Sequence, residues 1–445
     1  MWLTHRRSRL AGAVLLFLLG AVVRQSGAGA ASGTPPAEAL DRARANLKTM
    51  TQRLASYACV ETVDRNYYEP PSGSVAGCPR IVDAHNARQT PLKLQSTDRL
   101  RLEVTMAEGR EIHAWPGATR FDVRNVDQII HQGPMGTGTF GTHLIGVFDN
   151  PGVIFEFAGE QGGSSGRNLL EYRFRVPVEE SRYRVRAGAS WQAVPYQGSF
   201  RLEAASLELS SFEFTADRLP ASTGMCQVHA DLDYHRVHIG EGDVLLPAQD
   251  RLDIVMTDAS ETSSVIRFSD CREYQADAEM RFDANPEEVY EEAASKREIH
   301  APVATRLGMP ITLALTSPID TETAAAGDPV SAKVVKAVST GDGKALIPAG
   351  AVVRGRITRL EHHLFPQPYF LVALSFNRLV EGEISSPFAA KHDVNPELAK
   401  ELGASLKSYG RGIDFWDVGT FLFPTKKPRY ILPAGVEMKW ETLAE

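Results

Sequence analysis

The chain has 445 residues, 43% of them hydrophobic and 23% charged, and a formal net charge of −7. That length exceeds one ordinary domain, and the composition is that of a folded globular protein rather than a disordered or membrane-embedded one. Residues 1–30 carry four arginines and no acid, so their removal takes the charge from −7 to −11, which argues against nucleic acid as a partner because phosphate binding needs a basic face.

The N-terminus reads as a secretory signal. "HRRSR" is a basic leader, Leu10–Val23 a short apolar core, and "GAGAAS" a small-residue cleavage zone with Ala30 as the last residue removed. The core is shorter than the roughly 20 residues that span a bilayer. Arg9 stands where a twin-arginine signal carries an apolar residue, and no cysteine follows closely enough for a lipid anchor. The expected location is extracytoplasmic, periplasmic or secreted, with no transmembrane segment in the mature chain.

Residues 31–36 read as a tether, and Pro36–Ser56 as a helix. Leu40, Leu47 and Leu54 recur at one spacing, Ala43 and Met50 fill the same stripe, and Pro35 and Pro36 suit a helix start. Strands follow up to Asp283. "DRLRLEVTM" and "NLLEYRFRV" alternate apolar with charged, "GSFRLEAASLELSSFEFTA" reads as two strands around Ala204-Ala205, and Met225–Ile239, Asp243–Asp258 and Ser263–Tyr274 form a meander. Such alternation signals an antiparallel sheet with one wet face. So many consecutive strands after one amphipathic helix predict a curved sheet over residues 37–283, its inner face filled by other elements.

Within that run, Phe140–Phe148 places Phe140, Leu144, Ile145 and Phe148 at helical spacing behind a glycine-rich stretch. This is a short apolar helix that either completes the core or gates an apolar cavity. The glycines lack the Lys-Ser/Thr of a nucleotide loop. Residues 284–300 are charged and helix-prone, a linker helix before a second domain over 301–445. There "LIPAGAV" and "ILPAGVE" each place Pro-Ala-Gly between apolar runs. Proline sets the second position of a tight turn and glycine accepts a left-handed φ, so the trio is turn chemistry. Short strands at close spacing favour a small β-barrel. The expected fold class is mainly β (α+β).

Four cysteines, Cys59, Cys78, Cys226 and Cys271, suit disulfides in an exported chain. Three connectivities are open. Cys59 with Cys78 is the simplest first pair and leaves Cys226 with Cys271, yet simple hairpins put Cys226 beside Ser263 instead. There is no C-x-x-C for zinc. His229, His235 and His238 lie on one strand with Asp231 and Asp233 and read as a solvated face; His113 shares a strand face with Glu111; His362 and His363 point apart. No G-x-S-x-G occurs, and "GGSSGR" at Gly162–Arg167 reads as a loop. No catalytic residue, metal or cofactor is expected.

Two resemblances follow. "AAAGDPVSAKVVKAV … ALIPAGAVVRGRI", over about Leu313–Leu360, resembles the small barrel of TrbI-like conjugation-channel proteins, in which a Gly-Asp-x-Val strand precedes an Ile-Pro-x-Gly turn. The N-terminal region, with signal, amphipathic helix, strand run and "TDRLRLEVTMAEGREIHAWPG", resembles the LolA/LolB-like lipoprotein-carrier fold by pattern. That resemblance implies a non-catalytic envelope protein holding a lipid or acyl chain. Trp115, Phe121, Phe140, Leu144, Phe148, Phe155 and Phe157 are the expected lining, and the barrel is expected to dock to an envelope protein partner. The rival expectation is a structural or assembly component acting through protein–protein contacts.

Overall fold

The computed structural model describes residues 35–73, 77–118, 121, 135–162, 168–239, 242–274, 308–339, 345–365, 367–382, 384–392 and 419–443. The expected signal peptide (1–30), most of the expected tether (31–36) and the expected linker helix (284–300) lie outside the described residues. Helix α1 (Pro36–Leu54) opens on a proline, whose missing N–H is no loss in a first turn. It buries Ala39, Ala43, Leu47, Thr51 and Leu54. The buried stripe thus lies slightly to one side of the expected one: Leu40 and Met50 flank it, half-buried.

After α1 come β1 (Tyr57–Tyr68), α2 (Cys78–Asn86), β2 (Leu94–Ala107), β3 (Arg110–Ala114), α3 (Thr142–Phe148), β4 (Ile154–Gly162) and β5 (Asn168–Val176). A small hairpin, β6 (Arg184–Ala187) and β7 (Ser190–Ala193), precedes β8 (Tyr196–Glu203), β9 (Leu209–Ala216), β10 (Met225–Ile239), β11 (Gly242–Met256) and β12 (Glu261–Glu273). The pairing order is β4–β5–β8–β9–β10–β11–β12–β1–β2–β3, antiparallel throughout. Alternate residues face one buried side: Val228, Ala230 and Leu232 on β10, for example, and Phe212, Phe214 and Ala216 on β9. Bulges at Ala58/Val60, Asp233/Tyr234 and Phe157/Gly159 bend the strands. Helices α1 and α3 share one core with this inner face, as the alternation pattern requires.

The remaining strands are β13 (Pro310–Leu315), β14 (Ile319–Asp320), β15 (Pro329–Val334), β16 (Val338–Ser339), β17 (Ala345–Ile347), β18 (Val352–His363), β19 (Tyr369–Glu381), β20 (Ile384–Pro387), β21 (Ala390–Lys391), β22 (Thr420–Pro424), β23 (Ile431–Leu432) and β24 (Glu437–Thr442). The ladder β24–β13–β15–β18–β19 is closed by residues 384–391: β20 pairs with β19 and β21 with β24. Leu313, Ala332, Val353, Ile357, Val372 and Leu374 fill the resulting small barrel.

Both Pro-Ala-Gly trios are turns, with Gly350 at φ 86° and Gly435 at φ 81°. Neither joins paired strands. Each turn clamps the end of another strand: Gly350 N donates to Val334 O at 2.8 Å and Gly435 N to Leu315 O at 2.8 Å. The partners correspond throughout. Leu313 faces Met438 as Ala332 faces Val353, and Ile319 faces Leu432 as Val338 faces Ile347. The barrel therefore contains two copies of one four-strand unit, and the repeated trio marks its equivalent corners.

The disulfides are Cys59–Cys271 and Cys78–Cys226. This corrects the simplest expected pairing. β1 is not paired with its sequence neighbours alone but returns beside β12, where a bulge sets Cys59 against Cys271. Cys78, at the start of α2, reaches the first turn of β10 instead; Cys226 indeed lies near the start of β12, as the hairpin register required, and far from Cys271.

One seam matters for the site. The outer edge of β2 is shared: β3 takes Glu103–Ala107, and β18 takes Ser96–Asp98 through Glu361–His363. Between them, Arg101 N donates to Ala326 O at 2.7 Å and Ala326 N to Arg99 O at 2.9 Å. Gly327 (φ 106°) passes so close to Arg101 O and the Trp115 ring that a Cβ has no room. Sheet and barrel are thus one hydrogen-bonded ladder, and the described residues from Pro36 onward belong to one compact unit. Beside the seam, on the sheet side, Arg65 pairs with Asp98 at 2.6 Å and Tyr67 donates to Asp98 at 2.9 Å; on the barrel side Glu361 accepts from Arg359 at 2.7 Å and His363 at 2.8 Å; Arg101 of β2 crosses the seam to Asp328. Burial pushes the Glu361 carboxyl up, but the His363 hydrogen bond and the Arg359 charge outweigh it and hold it down at about 2. Among the described residues, no helix is long and apolar enough to cross a membrane.

Candidate functional site

Helix α3 has seven residues, too few to be stable alone. A buried carboxylate holds it. Glu111, on β3, accepts backbone N–H groups of Gly138 (2.5 Å), Gly141 (2.9 Å) and Thr142 (3.4 Å), while its own N–H donates to Thr142 Oγ1 at 3.2 Å. An anion satisfies the free amides of a helix start. Burial raises the Glu111 carboxyl above its ordinary value, and these bonds and His113 offset only part of that. The approach is tight: a Cβ on Gly136 would collide with Leu252, and one on Gly138 with the His143 ring.

α3 then lays His143, Leu144, Val147 and Phe148 into the inner face. His143 rests on Phe214 and Tyr183, ring centroids 4.8 and 5.8 Å away, and burial brings its pKa down to about 4. Phe148 stands edge-on to Phe200 at 4.8 Å; Phe174 stacks on Phe212 at 5.2 Å and Tyr172 on Phe200 at 5.2 Å. Aromatic contacts of this kind add about 0.5–1.5 kcal/mol each beyond area burial.

The seven expected lining residues fall in several places. Leu144, Phe148 and half-buried Phe155 share the aromatic core, with Phe148 and Phe155 6.1 Å apart. Phe157 packs on Tyr172 at 5.2 Å but stays 37% exposed near the sheet's outer strand. Phe140 belongs to a second cluster with Leu54, Met106 and Phe268. Trp115 lies at the seam beneath Arg356, 5.0 Å from its ring centroid, and Phe121 stands edge-on to Tyr274 at 5.0 Å.

Between these clusters the inner face carries ionisable groups. Glu61 and His113, each 2% exposed, meet at 3.1 Å. Burial lowers the His113 pKa, and the Glu61 contact with the Glu61 and Glu111 charges outweighs it, so the imidazolium is favoured. Asp250, on β11, is 0% exposed. Neither of its carboxyl oxygens has a hydrogen-bond partner among the described residues, and the Tyr234 and Ser264 hydroxyls are likewise unpartnered there. Asp250 stands opposite Leu232 on one side and Ile266 on the other. Burial, then the Glu61 and Glu111 charges, push its carboxyl well above the usual range, and burial and Asp250 do the same to Tyr234.

The sequence reading placed Glu111 and His113 on one face and missed Asp250 and Glu61. The signal was present. In "VLLPAQDRLDIV", Asp250 occupies a position that the alternation of Leu246, Leu252 and Ile254 reserves for an apolar residue, and Glu61 interrupts Cys59 and Val63 in the same way. Elsewhere His229 bonds Thr215 at 3.0 Å and His238 bonds Asp243 at 3.0 Å. Among the described residues no group of three or more His, Cys, Asp or Glu side chains is placed to hold a metal ion. The inner face offers unused hydrogen-bonding capacity inside an apolar surround, which suits holding a molecule.

No protein-family model matches the chain, and no curated protein matches it. Among solved structures, the chain is similar to a domain assigned to outer-membrane lipoprotein sorting in Vibrio parahaemolyticus, with 10% identity, a TM-score of 0.27, and coverage of 55% of this chain and 97% of that one. It is also similar to a DUF1329 family protein from Desulfovibrio piger, with 10% identity, a TM-score of 0.28, and coverage of 55% and 96%. The mainly β architecture rests on the strand ladder itself.

Proposed function

We propose that this chain is an exported, non-catalytic binding protein of the cell envelope that holds an apolar ligand, a lipid or acyl chain, against the inner face of its sheet. The barrel serves as its docking body. One observation carries the reading: a continuous aromatic and aliphatic face is covered, beside α1, by a seven-residue helix reached through glycines. Magnitudes favour exchange of that cover for a ligand. Leu144, Val147 and Phe148 of α3 gain about 2 kcal/mol each by burial, roughly 6 in all, whereas twelve ligand methylenes gain about 10. Leu144, Phe148 and Phe155 are the lining residues the reading uses. Two disulfides support a location in an oxidising compartment.

A second reading, an assembly component working through protein contacts, is favoured by β4. It pairs only with β5 among the described residues and exposes Ile154 (61%) and Phe157, the features of an edge open to another chain. Native mass spectrometry of protein purified without detergent separates the two. The ligand reading expects a copurifying lipid, or a rise in melting temperature with added long-chain alcohol. No lipid and no rise, with one stoichiometric partner crosslinked in envelopes, supports the second reading instead.

A further inference from the structure

Asp250, Tyr234 and Ser264 are placed as one set. Leu252 faces Ser264 across β11 and β12, and Leu232 faces Asp250 across β10 and β11. Ser264 and Tyr234 are therefore the diagonal neighbours of Asp250 on its two flanking strands, about 7–8 Å away at Cα and closer at the side chains. All three point to the inner side and carry polar atoms with no partner among the described residues. Tyr234 is 9% exposed and Asp250 0%. Fully buried polar groups of a native protein nearly always have partners, so an orphaned set calls for a missing one.

We propose that Asp250, with the Tyr234 and Ser264 hydroxyls, forms a headgroup site for the protonated amine of an amphiphile whose alkyl body lies on the inner face. The inference rests on the apolar-ligand reading and specifies the polar end of that ligand. The charge around the site decides its sign. Glu61 acts on it from β1, Glu111 from β3, Asp231 and Asp253 from β10 and β11, and Tyr183 from the segment before β6. His113 is taken up by Glu61 and Glu111 by the α3 amides; Arg65, on the same face of β1, is committed to Asp98. No cation is left for Asp250 among these groups, so a carboxylate or phosphate head meets repulsion and an ammonium meets three acceptors. Access is shared with the apolar face. Leu252, two residues from Asp250, packs against Gly136 of the stretch that leads into α3, so a movement of α3 that admits an alkyl chain uncovers the carboxyl too.

The test uses the mature chain and three probes of one chain length, dodecylamine, dodecanol and dodecanoate, each kept below its aggregation threshold and titrated by calorimetry at neutral pH. The expected order is amine, alcohol, carboxylate, with the amine at least about tenfold tighter than the alcohol, the size of a hydrogen bond to a charged group. Asp250→Asn is expected to abolish the preference for the amine over the alcohol, the two being compared within the same variant. Tyr234→Phe, which removes one acceptor, is expected to lower amine affinity by a smaller factor. Equal affinity for all three heads, tightest binding of the carboxylate, or an Asp250→Asn protein that folds and still prefers the amine would overturn the headgroup site. Failure of all three probes to bind sinks the apolar-ligand reading beneath it.

Discussion

Burying a carboxyl group without a hydrogen-bond partner costs about 1–3 kcal/mol, so Asp250 lowers the stability of the fold in the absence of a ligand. Asp250→Leu, which matches its apolar neighbours, is expected to stabilise the protein by roughly that amount in urea unfolding while removing the amine preference; a loss of stability would mean that Asp250 is a structural residue. His143 gives a second residue-scale expectation. Its pKa falls from 6.5 in the unfolded chain to about 4 in the fold, so between those values the unfolded chain binds more protons. Stability from this group is complete above pH 6.5 and is lost as pH falls toward 4, by roughly 3 kcal/mol in total. Buried Asp250 and Glu111, both raised, act with the opposite sign in the acid range. The expected readout is therefore the difference between wild type and His143→Gln, which should shrink between pH 7 and pH 5; a constant difference contradicts the assignment. At this scale the sequence exposed its own exceptions, since an acid at an apolar parity is visible without coordinates. What it withheld is whether such an acid is paired, because Glu61 and Asp250 look alike on paper and only one meets a histidine.

The Pro-Ala-Gly corners show the same division among elements. Turn chemistry was legible from proline and glycine alone, whereas the partner strand was not, because each turn clamps an earlier strand, 16 residues back for Gly350 and 120 for Gly435. The two corners are structurally equivalent, so Gly350→Ala and Gly435→Ala are each expected to cost about 1–2 kcal/mol, the penalty of a left-handed conformation for a residue with a Cβ. Chemical denaturation of the two variants checks this, and a large disparity between them would break the equivalence. The strands of the meander follow their alternation closely. The α1 stripe rotates slightly, since alanines at 39 and 43 let the helix approach the sheet where leucine at 40 is too large. The disulfide pairing was beyond reach because it depends on β1 returning beside β12, a contact across 212 residues of sequence.

For the molecule as a whole, the β2–β18 seam sets the relation of sheet to barrel. No local pattern announces it: an edge strand pairs through its backbone, and the ions behind it read simply as polar residues. Arg101 of β2 crosses it to Asp328. Asp328→Ala removes that carboxylate from a partly buried pair and is expected to cost about 1–3 kcal/mol, and to separate unfolding of the barrel from that of the sheet in calorimetry. A single unshifted transition would show that the seam does not couple them. The claim on which the function depends is nevertheless the inner face. Photolabelling with a twelve-carbon alcohol carrying a diazirine, followed by peptide mapping, tests it most directly. The predicted result is saturable labelling of α3 and of the inner positions of β8 to β11, reduced by unlabelled dodecanol. Labelling confined to exposed residues such as Ile154 and Trp191, or labelling that dodecanol does not reduce, would contradict it.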